Sequence, residues 1–335
     1  MAIDLLSIQP HKVSRDLSGY ITYIYGKGGT GKTTLASQLD RALLLACEKG
    51  YSAIPGIMAQ DITSWPELKQ VVRQLKKPEV QEMYKSIVID TVDLASDFCE
   101  KFICNNEEVE KLGDIPWGGG YRLMKKEFEE VFRTVAQMGY ALFFISHDKD
   151  KVFKREDGTE YNQIVPSLAP SSNEIIRNMS DIQGYAHQVK SEDGESQVML
   201  TLRSQNGEVE CKSRFKYIAP EIPFNYEALS KALVDAIDKE AEENNNKFIT
   251  NNTAKKTKSQ KYDIKELKEE FQKMTDSIQK NLPKEEFASN WAPKIVAITT
   301  EYLGKGNRVI DCGPDQAEQV YFIINDLKEL MSEGL

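Results

Sequence analysis

A chain of 335 residues, 40% hydrophobic and 28% charged, has the balance of a globular protein, and its length predicts two domains or one large domain with an appendage. No apolar run reaches the roughly 18 residues of a membrane span, and residues 1–19 lack a signal-peptide core. Five cysteines at irregular spacing without a CxxC, and only three histidines, argue against a disulfide framework or a zinc site and for a reducing cytoplasm. The net charge of −9 excludes a protein that coats nucleic acid with its whole surface, so any such contact must be a local patch.

Residues 20–25, YITYIY, predict a short buried strand ending at Gly26. Residues 32–49, rich in Leu and Ala and stopped by Gly50, predict a helix. A weak strand is expected over 53–59. Ser64 and Glu67 have capping-box spacing, with Pro66 suited to the first helical turn. Residues 86–90, SIVID, read as a buried strand, 119–138 as an amphipathic helix ended by Gly139, and 140–146, YALFFIS, as a second continuous apolar strand. Strands without polar alternation, separated by helices, predict a parallel sheet covered on both faces. The expected organisation is an N-terminal segment (1–19), an α/β core (20–225), a polar helix (226–243), an Asn-, Thr- and Lys-rich linker (244–261) and a helical C-terminal module (262–335).

Residues 26–33 read GKGGTGKT, the G-x-x-x-x-G-K-T pattern of a phosphate loop, between a predicted strand and a predicted helix. Gly26, Lys27, Gly28, Gly29, Thr30, Gly31 and Thr34 place backbone N–H groups around phosphate oxygens, and the helix N-terminus adds its dipole. Lys32 is expected to reach the β- and γ-phosphates, and the Thr33 hydroxyl to bind Mg²⁺. ATP and Mg²⁺ are therefore the expected cofactors. An acid at the end of a neighbouring strand completes a magnesium site, and SIVID ends in Asp90. YALFFIS ends in Ser146 and His147, at the edge of a parallel sheet where ligands bind; His147 is the expected γ-phosphate sensor. For the catalytic carboxylate, Asp61 is the first choice and Asp93 the second.

The stretch KGGTGKT (27–33) fits the deviant phosphate loop of ParA/MinD-type ATPases, in which the extra lysine, here Lys27, reaches a partner's nucleotide. No matching acidic motif follows the second strand. The larger set GKGGTGKTTLA (26–36), DITSWPEL (61–68), YKSIVIDTVDLASDF (84–98) and WGGGYRLMKKEFEEVFRTVAQMGYALFFISHDKDK (117–151) resembles, in order and spacing, the RecA-like ATPase core of phage single-strand annealing proteins of the Sak grouping. That resemblance implies an α/β RecA-like fold with a mostly parallel sheet, an ATPase that is weak or DNA-stimulated, single-stranded DNA as partner, annealing or recombination as the task, and a bacterial host cytoplasm as the setting. It also implies that loop 148–160 binds DNA, through Lys149, Lys151, Lys154 and Arg155 on phosphates and Phe153 on a base. Trp117 and Tyr121, from a flexible WGGG stretch, are further stacking candidates. A homo-oligomer is expected, with Lys212, Arg214 and Lys216, alternating on one strand face, as fingers into a neighbour's site. The linker lysines (Lys255, Lys256, Lys258, Lys261) read as a solvated run, and the C-terminal module as a site for oligomerisation or for a single-strand-binding protein. The alternatives are a ParA/MinD-like partition or regulatory switch, and a nucleotide-binding scaffold with negligible turnover.

Overall fold

The apolar runs form the centre of a nine-stranded sheet in a computed structural model that describes residues 10–155, 157–190, 195–204, 206–243, 249–250 and 263–334. In chain order the strands are β1 (Thr22–Gly26), β2 (Ala42–Ala46), β3 (Ala59–Asp61), β4 (Ser86–Asp90) and β5 (Ala141–Ser146), then β6 (Asp148–Lys154) and β7 (Glu160–Pro166), which form a two-stranded ribbon with a parallel bridge from Ile164 to Val209, then β8 (Ile182–Lys190), β9 (Ser196–Thr201) and β10 (Glu221–Pro223). The sheet order is β10–β9–β8–β1–β5–β4–β2–β3, with the two residues Lys212–Ser213 against β8. The six strands from β8 to β3 are parallel; β9 and β10 are antiparallel additions. This is the RecA-like α/β arrangement: β5 lies between the phosphate-loop strand and the strand that carries Asp90.

Successive side chains of each strand point to opposite faces, and both faces are covered. Tyr23, Leu45, Ile89 and Phe144 pack beneath α2 (Trp65–Leu75), α3 (Val92–Asn106), α4 (Gly119–Gln137) and α5 (Pro170–Met179). Ile24, Leu44, Val88 and Phe143 pack against α1 (Lys32–Ala36) and α6 (Tyr226–Glu243). Trp65 anchors the first layer. It is fully buried and stacked on Phe128 at 5.8 Å, and its indole N–H donates to Glu127 at 2.9 Å.

Several expectations are corrected. The helix expected over 32–49 is one turn, α1, after which residues 42–46 are the strand β2. An apolar run sandwiched between two covered faces has no periodicity to distinguish it from a buried helix. The weak strand moves from 53–59 to the short edge strand β3. Ser64 does precede α2, but the reciprocal bond of its capping box is made one residue earlier: the Thr63 N–H and hydroxyl donate to Glu67 at 2.8 and 2.9 Å. The helix expected over 226–243 is α6, with those bounds, and its Leu229, Leu233 and Ile237 pack into the core rather than standing apart from it. Within the expected linker, Ile249–Thr250 pairs in parallel with Val13–Ser14; its lysines 255, 256, 258 and 261 fall outside the described residues.

The chain divides into two compact units, one of the described residues from Pro10 to Thr250 and one from Asp263 onward. The second contains α7 (Ile264–Asn281), α8 (Ala292–Leu303) and α9 (Ala317–Gly334), held by Leu267, Leu303, Val320, Ile323 and Ile324 and by a smaller group of Ile278, Trp291 and Leu327. No helix of the described residues is long and apolar enough to cross a membrane.

Candidate functional site

The site is built where β1 ends. Gly26 pairs with Ala186 of β8, and a Cβ at this position would lie 2.2 Å from the Ala186 carbonyl oxygen, so only glycine fits between the strands. The chain then turns through Gly29 and Gly31 at φ of 79° and 88°, a conformation glycine adopts without strain. A Cβ on Gly28, Gly29 or Gly31 would meet nothing within 4 Å, so no neighbouring side chain or backbone crowds these loop positions. Because α1 has five residues, it contributes less dipole than the longer predicted helix. The groups left to meet a phosphate here are the loop N–H groups and Lys32.

Lys32 is buried and its ammonium donates to the carbonyl oxygens of Gly26 at 2.7 Å and Lys27 at 2.8 Å. Burial lowers its pKa, and the charge of Asp90 is the largest influence opposing that shift. The Thr33 hydroxyl donates to Asp90 Oδ2 at 2.6 Å. Burial raises the Asp90 pKa, and the Thr33 hydrogen bond offsets part of the rise. A hydroxyl and a carboxylate converging at this spacing are hard oxygen donors of the type Mg²⁺ takes, so these two residues fit a magnesium ion. Lys27 and Thr34 are exposed beside the loop, whereas Thr30 is buried, its hydroxyl donating to the Lys27 carbonyl at 2.9 Å.

A residue that sequence reasoning passed over completes the group. Glu48 stands two residues past the end of β2, after Cys47, and its N–H donates to the Asp90 carbonyl at 3.2 Å. Its carboxylate Oε2 lies 3.6 Å from His147 Nε2. The charge of Glu48 acts on both Asp90 and Lys32. Placing residues 42–46 in a helix hid it; the signal was an acid at the end of an apolar run. Asp61, the first-choice carboxylate, is elsewhere. Register places it level with Ala46, which is level with Asp90, so it stands two strand spacings from Asp90, roughly 10 Å. It is exposed on the edge strand, where it accepts the Tyr51 hydroxyl at 2.6 Å. Asp93, the second choice, accepts hydrogen bonds from Ser146 and Ser167.

The expected DNA loop 148–160 is an antiparallel ribbon of β6 and β7 that begins one residue after His147. Phe153 and Tyr161 face each other across it with ring centroids 5.7 Å apart. Lys151 covers the Phe153 ring at 4.7 Å and Arg155 the Tyr161 ring at 4.9 Å. Lys154 pairs with Glu160 at 3.2 Å, and Lys149 donates to the Ser167 carbonyl at 2.8 Å. Tyr161 was absent from the sequence-based set. Trp117 is 98% exposed and Tyr121 58% exposed. The stretch between them is built rather than loose: a Cβ on Gly120 would lie 2.3 Å from the Leu112 carbonyl oxygen, and one on Gly119 2.9 Å from Ile115. The alternating strand expected for Lys212, Arg214 and Lys216 is reduced to Lys212–Ser213, beside the start of β8 and so at the opposite end of the parallel strands from Gly26. Each cation is engaged: Lys212 donates to the Arg177 carbonyl at 2.5 Å, Arg214 pairs with Asp181 at 2.9 Å and Lys216 with Glu243 at 3.1 Å.

The family described as AAA domain matches residues 18–215, more than half of the chain and all of the groups described around the phosphate loop. The SPbeta prophage-derived protein YorG of Bacillus subtilis strain 168 is 28% identical over 348 aligned positions, covering 99% of this chain and 100% of that protein. A crystal structure of a KaiC-like protein from the archaeon Pyrococcus horikoshii aligns with 62% of this chain and 86% of that one, at 14% identity and a TM-score of 0.35.

Proposed function

The chain belongs to the AAA domain family of P-loop ATPases, and from that premise we propose that it is a phage DNA recombination protein, one that binds ATP with Mg²⁺, hydrolyses it weakly or in response to DNA, and binds single-stranded DNA to promote annealing or strand pairing. The observation that carries this reading is continuity. His147, paired with Glu48 beside the Thr33–Asp90 pair of the phosphate loop, is followed at the next residue by a ribbon bearing two stacked aromatics, each covered by a cation. Stacking rings suit bases and cations suit phosphates, and together they bind single strands with little sequence preference. The prophage origin of YorG supports the phage setting.

In this reading Lys32 and the loop N–H groups hold the triphosphate, and Thr33 and Asp90 would hold Mg²⁺, which when bound would supply charge neutralisation to the phosphates. Glu48 orients and polarises the attacking water, and His147 reports the γ-phosphate to the ribbon. Trp117 and Tyr121 offer a second stacking surface. The proposal includes assembly of several copies and recruitment of a single-strand-binding protein by the C-terminal unit. A ParA/MinD-like switch is the second reading, favoured by the exposure of Lys27 beside the loop.

The test is single-strand binding by fluorescence anisotropy with a labelled thymidine-only oligonucleotide. Phe153→Ala and Tyr161→Ala are each expected to cost about 1–3 kcal/mol of binding, and Lys151→Ala to lower the salt slope by about one. Unchanged affinity in both aromatic variants would remove the ribbon from the binding surface.

A further inference from the structure

One carboxylate fastens both ends of the ribbon to the magnesium strand. Asp93 stands in the first turn of α3, on the backbone turn that carries Asp90. Its Oδ1 accepts from the Ser146 hydroxyl at 3.1 Å and from the Ser167 hydroxyl. Ser146 ends β5, separated from the ribbon by His147 alone, and Ser167 is the first residue after it. The joint is closed by the Ser167 N–H, which donates to the His147 carbonyl at 2.8 Å. Asp93 Oδ2 is buried without a hydrogen-bond partner, as is the neighbouring Thr91 hydroxyl. The ribbon has a separate attachment to the phosphate-loop strand: the Tyr25 hydroxyl lies 2.9 Å from the Glu210 carbonyl and 3.1 Å from the Ile164 carbonyl of β7, and accepts from the Glu210 N–H at 3.0 Å.

We propose that Asp93 is the positioning residue that couples nucleotide at the phosphate loop to the ribbon. Any adjustment of the Asp90 turn when it engages Mg²⁺ and nucleotide moves Asp93 with it, and Asp93 pulls on both ends of the ribbon together through two charge-assisted hydrogen bonds. The Tyr25 attachment keeps the ribbon folded on the core when this link is cut, so the link can be removed without removing the ribbon. The inference deepens the proposed function and rests on its nucleotide-binding part.

The experiment is hydrogen exchange of the ribbon amides with and without a slowly hydrolysed ATP analogue and Mg²⁺, in the wild type, Asp93→Ala, Asp93→Asn and the double variant Ser146→Ala/Ser167→Ala. The wild-type ribbon is expected to change its exchange rates on nucleotide binding by about five- to a hundredfold, the usual range of coupling between sites. Asp93→Ala and the double serine variant should lose that response while binding the analogue within about twofold of wild type. Asp93→Asn keeps an oxygen that accepts both hydroxyls and should retain most of the response, a rescue that a simple loss of stability would not produce. If Asp93→Ala does not fold, the double serine variant carries the test. A ribbon that responds in both link-cutting variants as in the wild type, or one that does not respond in the wild type, overturns the inference. A wild-type ribbon that responds to nucleotide while the thymidine-only oligonucleotide is never bound would sink the single-strand reading and leave the coupling standing.

Discussion

Replacing Glu48 by Gln preserves size and removes the charge to which the proposed function gives the polarising of water. Its backbone is pinned to the Asp90 carbonyl and its carboxylate faces His147 at 3.6 Å, so the side chain is already aimed and the substitution has no reason to move it. A positioned general base contributes about 10²–10⁴-fold, which is about 3–5 kcal/mol of barrier. Hydrolysis in Glu48→Gln should therefore fall by that factor. ATP affinity should hold or improve slightly, because a negative charge beside the triphosphate is removed. Asp61→Asn is the control. Its carboxylate is two strands from Asp90, and the substitution should change turnover by less than about twofold. The assay is steady-state phosphate release with ATP affinity measured separately. Turnover near wild type in Glu48→Gln, or a collapse in Asp61→Asn with intact binding, would refute the assignment.

Three further outcomes follow from the same geometry. Gly26→Ala places a Cβ 2.2 Å from the Ala186 carbonyl and should cost roughly 1–3 kcal/mol or more, read from the denaturant midpoint; Gly28→Ala, with open space around its Cβ, should leave stability unchanged. Trp65→Ala removes a fully buried ring stacked on Phe128 and strips Glu127 of one donor, an expected loss of about 3–5 kcal/mol. Burial raises the Asp90 pKa, and Mg²⁺ binds only the ionised carboxylate. Magnesium affinity should therefore weaken as pH falls through a window lying above the usual carboxylate range, and recover as pH rises. Asp90→Asn should bind Mg²⁺ weakly and lose that dependence, measured by magnesium titration of a fluorescent nucleotide analogue.

The legible parts of this chain were those whose pattern has one physical meaning. GKGGTGKT could hardly be other than a phosphate loop, and SIVID and YALFFIS, each bounded by turn residues, became β4 and β5. The order of these pieces was enough to place Lys32, Thr33 and Asp90 in one site. What failed was local ambiguity. ALLLACE suits a buried helix as well as a buried strand; read as helix it lengthens α1 and conceals both β2 and the carboxylate of Glu48 beyond its end. The ribbon differs in another way: the resemblance implies a DNA-binding loop over 148–160, whereas Asp157-Gly158 between two runs is a hairpin signal. The partners of Lys212, Arg214 and Lys216 lie on α5, before β8 and on α6, beyond the reach of local pattern.

The most direct test of the central claim is ATP hydrolysis measured alone, with single-stranded DNA and with duplex DNA, using Lys32→Ala as the blank. The account predicts weak basal turnover, stimulation by the single strand, and loss of both in Lys32→Ala. Stimulation by duplex alone would contradict it and favour the ParA/MinD-like switch with Lys27 acting in trans. ATP binding without turnover under any condition would contradict it too, leaving a nucleotide-gated scaffold and no catalytic role for Glu48.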